Sequence, residues 1–431
     1  MTKTARTAFG SFLFFMLAIA CAAQTPAPDP GATFSKYVDT AGGTTADEAV
    51  RIALEKNDDL LAMKKEAEAA GVLIDQAGQR SRATVGFEGR QQVGGGRNRS
   101  MVMGSIPLEL YGRIGARKDV ARRQADLAEQ MFEEKGRQLA ADVREKFGKA
   151  LAKAHKLRLT EEILGFVTQS YDLVRAKVVD GDKAPLEENM MLVELNRLRS
   201  MRERQEGEVR IAILELKNAM GLGPEEPIVL KGDFENLVEP LPSLRLVTDS
   251  ALQRRSDLLV LQASEALADA KIERSKSEGK IDASLNLGYE RMTENFPGAG
   301  DHMVIFGFSI RLPYANGNRD AIEAAVLDKE AAEKRFAFGE LIVKREVASA
   351  FARYEFAVKS LEIFRVGVTG EAFRNLEVIR QTYELGDSSL IDYLGEQRRY
   401  VDYQTGLIDA QLEVYLAKVG MLKAENAPGL K

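Results

Sequence analysis

Few side chains in this 431-residue sequence are of a kind that performs chemistry, and their spacing keeps them apart. The two histidines, His155 and His302, are far from each other, and His155 falls in a helical stretch where packing or solvation is its plainer role. No phosphate-binding glycine loop, glycine-flanked serine or metal-ligand cluster occurs. Met101 and Met103 share one face of a strand pattern and carry thioethers suited to soft metals, although flexible packing is what methionine usually does there. Catalysis is therefore the activity these residues support least, and no cofactor is called for.

The only cysteine, Cys21, closes a leader in which Lys3 and Arg6 precede an apolar run from Phe12 to Ile19 and then small residues. That pattern is a secretory signal. Cys21 is the lipidation candidate, with ordinary cleavage after Ala20 or Ala23 as the alternative. The mature chain has no cysteine pair, so packing and assembly must stabilise it in an oxidising compartment. No apolar run approaches the roughly 20 residues of a membrane-spanning helix. Any passage through a membrane must use strands.

Composition narrows the class further: 29% charged residues, 7% aromatic and no tryptophan describe a helix-rich, solvated chain. The net charge of -5 is small and the charges are interspersed, which does not suit nucleic acid as a partner.

The elements that must position these residues come in two copies. Thr45 to Leu61 recurs in weaker form from Val247 to Leu259, and Asp180-Gly181-Asp182 recurs as Leu385-Gly386-Asp387. Pro224, Pro227, Pro240 and Pro242 crowd the segment between the copies. The division is thus a signal peptide at 1–23, an extended segment at 24–44, a first repeat at 45–222, a linker at 223–245, a second repeat at 246–425 and a tail at 426–431. Each repeat should contain a helix, two strands, a very long helix, a tight turn and another long helix.

Between Gly112 and Gly223 the only proline is Pro185, and between Tyr314 and Ala427 there is none, which leaves room for very long helices. Val143, Ala150, Leu157, Leu164, Tyr171 and Val178 fall every seven residues, with Val167 and Val174 in the companion seam. Leu394, Val401, Ile408, Tyr415 and Leu422 repeat the pattern near the C-terminus. A helix from about Ile114 to Val179 would be on the order of 100 Å long. Such heptads alone also fit a periplasmic coiled-coil adaptor or structural tether.

The strand patterns favour a different architecture. Val304, Phe306, Phe308, Ile310 and Leu312 alternate with small or polar residues, as do Ala283, Leu285, Leu287 and Tyr289, and more briefly Val85 and Phe87, then Val102, Ile106 and Leu108. Four strands of about ten residues, in two hairpins, have the length of a tilted bilayer span. Four cannot close a barrel, and open edges are not tolerated in lipid, so several chains must contribute. Polar tips at Gly94–Arg99 and Asn295–Asp301 would then face outside the cell.

Pro107-Leu108-Glu109-Leu110-Tyr111-Gly112-Arg113, Leu312-Pro313-Tyr314-Ala315-Asn316-Gly317-Asn318-Arg319 and Tyr383-Glu384-Leu385-Gly386-Asp387-Ser388-Ser389-Leu390-Ile391-Asp392 resemble the strand-to-helix corners and helical tip of the TolC family of outer-membrane efflux ducts. The first corner, followed by Gly115-Ala116-Arg117, is most similar to the heavy-metal efflux branch. The resemblance implies a mainly α fold with a membrane β-barrel: a homotrimer with twelve strands and an α-helical tunnel in the periplasm. It implies outer-membrane lipid, a periplasmic adaptor and an inner-membrane transporter as partners, with an exit duct of a protein secretion system as the neighbouring alternative. Tyr383 and Asp392 match the family's constriction residues, and Glu187 is the acidic counterpart on the first tip. A ring of such carboxylates would attract cations. The simpler role for Asp392 and Glu187 is to stabilise the first turn of the returning helix. Ser388 stands where the family has a gating arginine, and Asp182 and Asp387 fit helix caps.

Overall fold

The computed structural model describes residues 33–39, 41–234, 237–240, 242–293, 300–312 and 317–430. The leader with Cys21, the second hairpin tip at 294–299 and residues 313–316 of the second corner lie outside these.

The first repeat starts with α1 (Ala46–Lys56) and α2 (Asp58–Gly78), followed by β1 (Thr84–Gln91) and β2 (Asn98–Pro107). It ends with α3 (Arg113–Val179) and α4 (Pro185–Met220). The second repeat follows the same order through α5 (Leu244–Arg254), α6 (Ser256–Glu278), β3 (Asp282–Thr293), β4 (Gly300–Arg311), α7 (Arg319–Ile363), α8 (Thr369–Leu385) and α9 (Leu390–Glu425). The single helix expected before each pair of strands is in fact two. Asn57 ends the first in extended backbone, caps α2 through Leu60 N at 3.1 Å and donates to Ala219 O at 3.1 Å, and Arg255 makes the same break in the second repeat. The N-terminal segment, expected to be extended, contains a 3-10 turn at Phe34–Lys36 before Val38 and Thr44 bridge to Leu230.

Helix α3 runs uninterrupted for 67 residues. Its buried seam moves along its length: Val143, Ala150 and Leu157 are fully buried, whereas beyond them the burial passes to Val167 and Val174. An α-helix drifts by about 20° per heptad against a strict seven-residue repeat, which accounts for the change of seam. Helix α9 lies between the two halves. Ile408, Leu412 and Tyr415 pack towards α3, while Ala410, Val414 and Met421 pack towards α7 and α5. The α3–α9 approach is close enough that a Cβ on Gly148 would sit 2.3 Å from Tyr415 Cε1. The second long arm is not continuous. A π-helical segment at Phe364–Val368 separates α7 from α8, and the Phe364 ring packs where α9 has Gly406.

The strands form one antiparallel sheet in the order β1-β2-β3-β4. Register puts Phe87, Val102, Tyr289 and Val304 in one row, and Val85, Gly104, Leu287 and Phe306 in the next. These rows share a face that is strongly exposed, with Val85, Phe87, Phe306 and Phe308 all more than 70% accessible. The other face carries Glu88, Arg90, Arg99, Asn286, Glu290 and Ser309, so the alternation read in the sequence is an apolar face against a polar one.

Candidate functional site

Two turns reverse the long helices. Gly181 and Gly386 sit there at φ +81° and +88°, a region that side chains rarely adopt. Pro185 opens α4, where its missing N–H costs nothing. At the other tip Ser389 caps α9 in a capping box: Ser389 Oγ accepts from Asp392 N at 3.2 Å and donates to Asp392 Oδ2 at 2.6 Å. Asp182 and Asp387, expected as caps, are not. The cap positions are Ala184, which has no side-chain bond, and Ser389, whose hydroxyl is placed to reach the third helical amide.

Of the three sequence candidates, the structure brings together Tyr383 and Glu187. Tyr383 Oη donates to Glu187 Oε2 at 2.8 Å, joining the tip of the second hairpin to that of the first. Lys183 Nζ lies 3.2 Å from the same carboxylate oxygen and 4.6 Å from the centre of the Tyr383 ring. Tyr393 stacks on that ring, with centroids 5.6 Å apart and planes within 4°. Burial, then the Glu187 carboxylate, pushes the Tyr383 hydroxyl well above its ordinary pKa, so it remains a donor. Asp392 stays apart from this group: it is exposed, and its carboxylate is engaged by Ser389. Ser388, at the arginine position of the family, lies 3.1 Å from Thr382 Oγ1.

Lys183 and Tyr393 were not expected. Lys183 is four residues before Glu187, a helical ion-pair spacing that was available in the sequence. Further from the tip, Glu194 of α4 is 1% exposed and holds Arg197 and, across the hairpins, Arg398 of α9, each at 2.6 Å. Burial alone would raise the Glu194 pKa, but the two guanidiniums hold it below the usual carboxylate range. Nothing in the sequence separates this buried glutamate from the solvated ones around it.

At the opposite end of the helices, the first corner turns through Glu109, Tyr111 and Gly112, all at positive φ. Glu109 accepts from Ser81 N at 3.1 Å and pairs with Arg117, which holds its pKa down to about 2. Arg113 donates to the carbonyls of Lys280 at 2.6 Å and Glu278 at 3.1 Å. The corner thus ties the first repeat's strands and helices to the second repeat. His155 is packed between Phe34 and Phe234, with ring centroids at 5.4 and 5.7 Å. Burial, then Arg158, lowers its pKa to about 4. Among the described residues no three His, Cys, Asp or Glu side chains gather as a metal site, and no helix is long and apolar enough to cross a membrane.

A sheet with one exposed apolar face, joined through hydrogen-bonded corners to paired long helices whose tips are clasped, is the architecture of an outer-membrane channel fold. The chain belongs to the outer membrane efflux protein family, whose profile matches residues 49–222 and 247–426. It is similar to the cobalt-zinc-cadmium resistance protein CzcC of Cupriavidus metallidurans, at 23% identity over 301 residues, covering 68% of this chain and 69% of that one. Its fold matches solved structures of CusC (TM-score 0.74, 18% identity, covering 91% and 95% of the two chains) and of the outer-membrane channel OprN (0.73, 18%, 95% and 98%). It also matches the open-state MtrE outer-membrane channel of Neisseria gonorrhoeae (0.71, 18%, 92% and 91%). The coiled-coil adaptor reading does not survive this membership.

Proposed function

We propose that three copies of this chain assemble an outer-membrane exit duct of a tripartite efflux system, with the helical portion in the periplasm and substrate delivered by an inner-membrane transporter through a periplasmic adaptor. The observation that carries this reading is the four-stranded sheet. Its apolar face is solvent-exposed in a single chain, and β1 and β4 are its edge strands. Three copies joined β4 to β1 close twelve strands, cover every edge and turn the apolar face to lipid. The relation to CzcC makes metal ions the cargo we favour over a secreted protein.

The periplasmic end is held narrow by the Tyr383–Glu187 clasp, with Lys183 and Tyr393 fixing its two partners. Asp392, exposed beside the tip, supplies negative charge at the mouth as well as capping α9. Mass measurement of the detergent-solubilised protein tests the assembly. A particle of three chains is expected, and a stable monomer would overturn the reading.

A further inference from the structure

The geometry points to a soft-metal binding site on the inner wall of the barrel, formed by the thioethers of Met101, Met103, Met292 and Met303 near its outer mouth. This inference rests on the trimeric-duct reading, because only a closed barrel makes that wall the lining of a channel.

The four strands contain four methionines, and register puts all of them on the polar face. Met101 pairs with Glu290, which pairs with Met303. One row towards the periplasm, Met103 lies between Gly86 and Gly288, and one row outward, Met292 pairs with Arg99 and Asp301. Methionine is apolar and unbranched, so as filler or as a lipid anchor it belongs on the opposite face, where Val85, Phe87, Phe306 and Phe308 are found. Four of four on the water-facing side requires another reason.

The spacing provides one. Neighbouring strands are about 4.8 Å apart and alternate residues of a strand about 6.8 Å, so these positions fall within a patch three strands wide and three rows deep. A methionine side chain is long enough for thioethers from diagonal positions to meet over it. Gly86 leaves the Met103 side chain room on one side, whereas Ile305 leans over Gly288 on the other. Glu290 sits in the middle of the patch, 2% exposed, and is neutralised by Arg99 at 2.6 Å. It therefore adds no strong oxygen ligand for hard divalent ions. Uncharged sulfur ligands select a soft monovalent ion, Cu(I) or Ag(I), over Zn(II) or Co(II). Three copies of the patch would ring the lumen shortly before release. Weak, repeated sites of this kind suit conduction, because an ion must be able to leave as readily as it enters.

The probe is Ag(I), which needs no reductant, titrated calorimetrically into the detergent-solubilised trimer. Wild type is compared with the quadruple variant Met101→Leu, Met103→Leu, Met292→Leu, Met303→Leu, whose volume-conserving exchanges keep the strands intact. Cys21 and the histidines are common to both proteins, so their silver binding cancels in the difference. The expected result is the loss of one Ag(I) site per chain, or an affinity at least tenfold weaker, with no difference for Zn(II). Met63→Leu with Met131→Leu, in helices, should leave silver binding unchanged. Equal Ag(I) binding by a trimeric wild type and a trimeric quadruple variant would overturn the site while leaving the duct standing. A wild-type particle that is not a trimer would overturn both. If the quadruple variant fails to assemble, Met101→Leu with Met303→Leu decides the matter by the same criterion.

Discussion

Replacing Tyr383 by phenylalanine removes one oxygen atom from the tip and isolates the clasp. The phenyl ring keeps its stack on Tyr393 and its contact with Lys183, so only the 2.8 Å bond to Glu187 disappears. A hydrogen bond to a charged group contributes about 1.5 to 3 kcal/mol, and the half-buried setting here favours the lower end. Three chains opening together would lose about 4.5 kcal/mol of bias towards the clasped state, roughly a thousandfold in the ratio of open to closed duct. Single-channel recording in planar bilayers reads this directly as open probability. Glu187→Gln, which keeps an acceptor but removes the charge and the Lys183 pair, should shift the same quantity in the same direction by less. If Tyr383→Phe and Glu187→Gln both leave open probability and conductance at wild-type values, the bond is not what holds the tips closed.

Three other outcomes follow from the same structure. Phe306→Arg, on the exposed apolar face, should cost on the order of 2 to 4 kcal/mol in the bilayer and reduce the yield of assembled trimer on gels, whereas Ser309→Arg on the other face should assemble normally. The capping role of Asp392 and the proposed charge at the mouth can be separated: Ser389→Ala should lower thermal stability by about 1 kcal/mol without altering ion selectivity, while Asp392→Asn should weaken cation preference in bilayer recordings. His155 is held neutral in the fold, so the unfolded chain takes up its proton first as pH falls. Stability contributed by this site is intact above pH 6.5 and declines as pH drops towards about 4, by at most about 3 kcal/mol, and chemical denaturation of His155→Phe should show a flatter acid limb than wild type.

Much of this architecture was legible because it follows from periodicity. The seven-residue spacing and the absence of proline located α3 to within one residue at its start, and the alternation from Val304 to Leu312 identified the apolar sheet face. Breaks were harder to see. Asn57 and Arg255 interrupt helical patterns without proline or glycine, because an extended cap residue is tolerated wherever tertiary partners such as Ala219 O receive its side chain. The site was legible only in part for a similar reason. Sequence spacing set Tyr383 and Asp392 on either arm of one turn, but the partner of Tyr383 comes from the other repeat, nearly two hundred residues earlier. Asp392 fits a capping pattern as well as a gating one, and the choice depends on where its carboxylate points. Glu194 was invisible, since burial of a charge depends on Arg398 arriving from another helix.

The π-helical step at Phe364–Val368 makes the two arms of a duplicated chain mechanically unlike. Each residue added to a helix advances the azimuth of everything beyond it by about 100°. The step therefore sets which side α8 presents to α9 independently of the phase inherited from α7. In a ring of three chains, six hairpins would alternate between one built on an unbroken rod and one built on a jointed rod. In such a ring the two hairpins of each chain would be similar but not equivalent spokes, and the π-helical step is one of the irregularities that would lower their symmetry from six-fold to three-fold. Displacement at the tip would then be taken up by the jointed spokes while the unbroken ones held the bore.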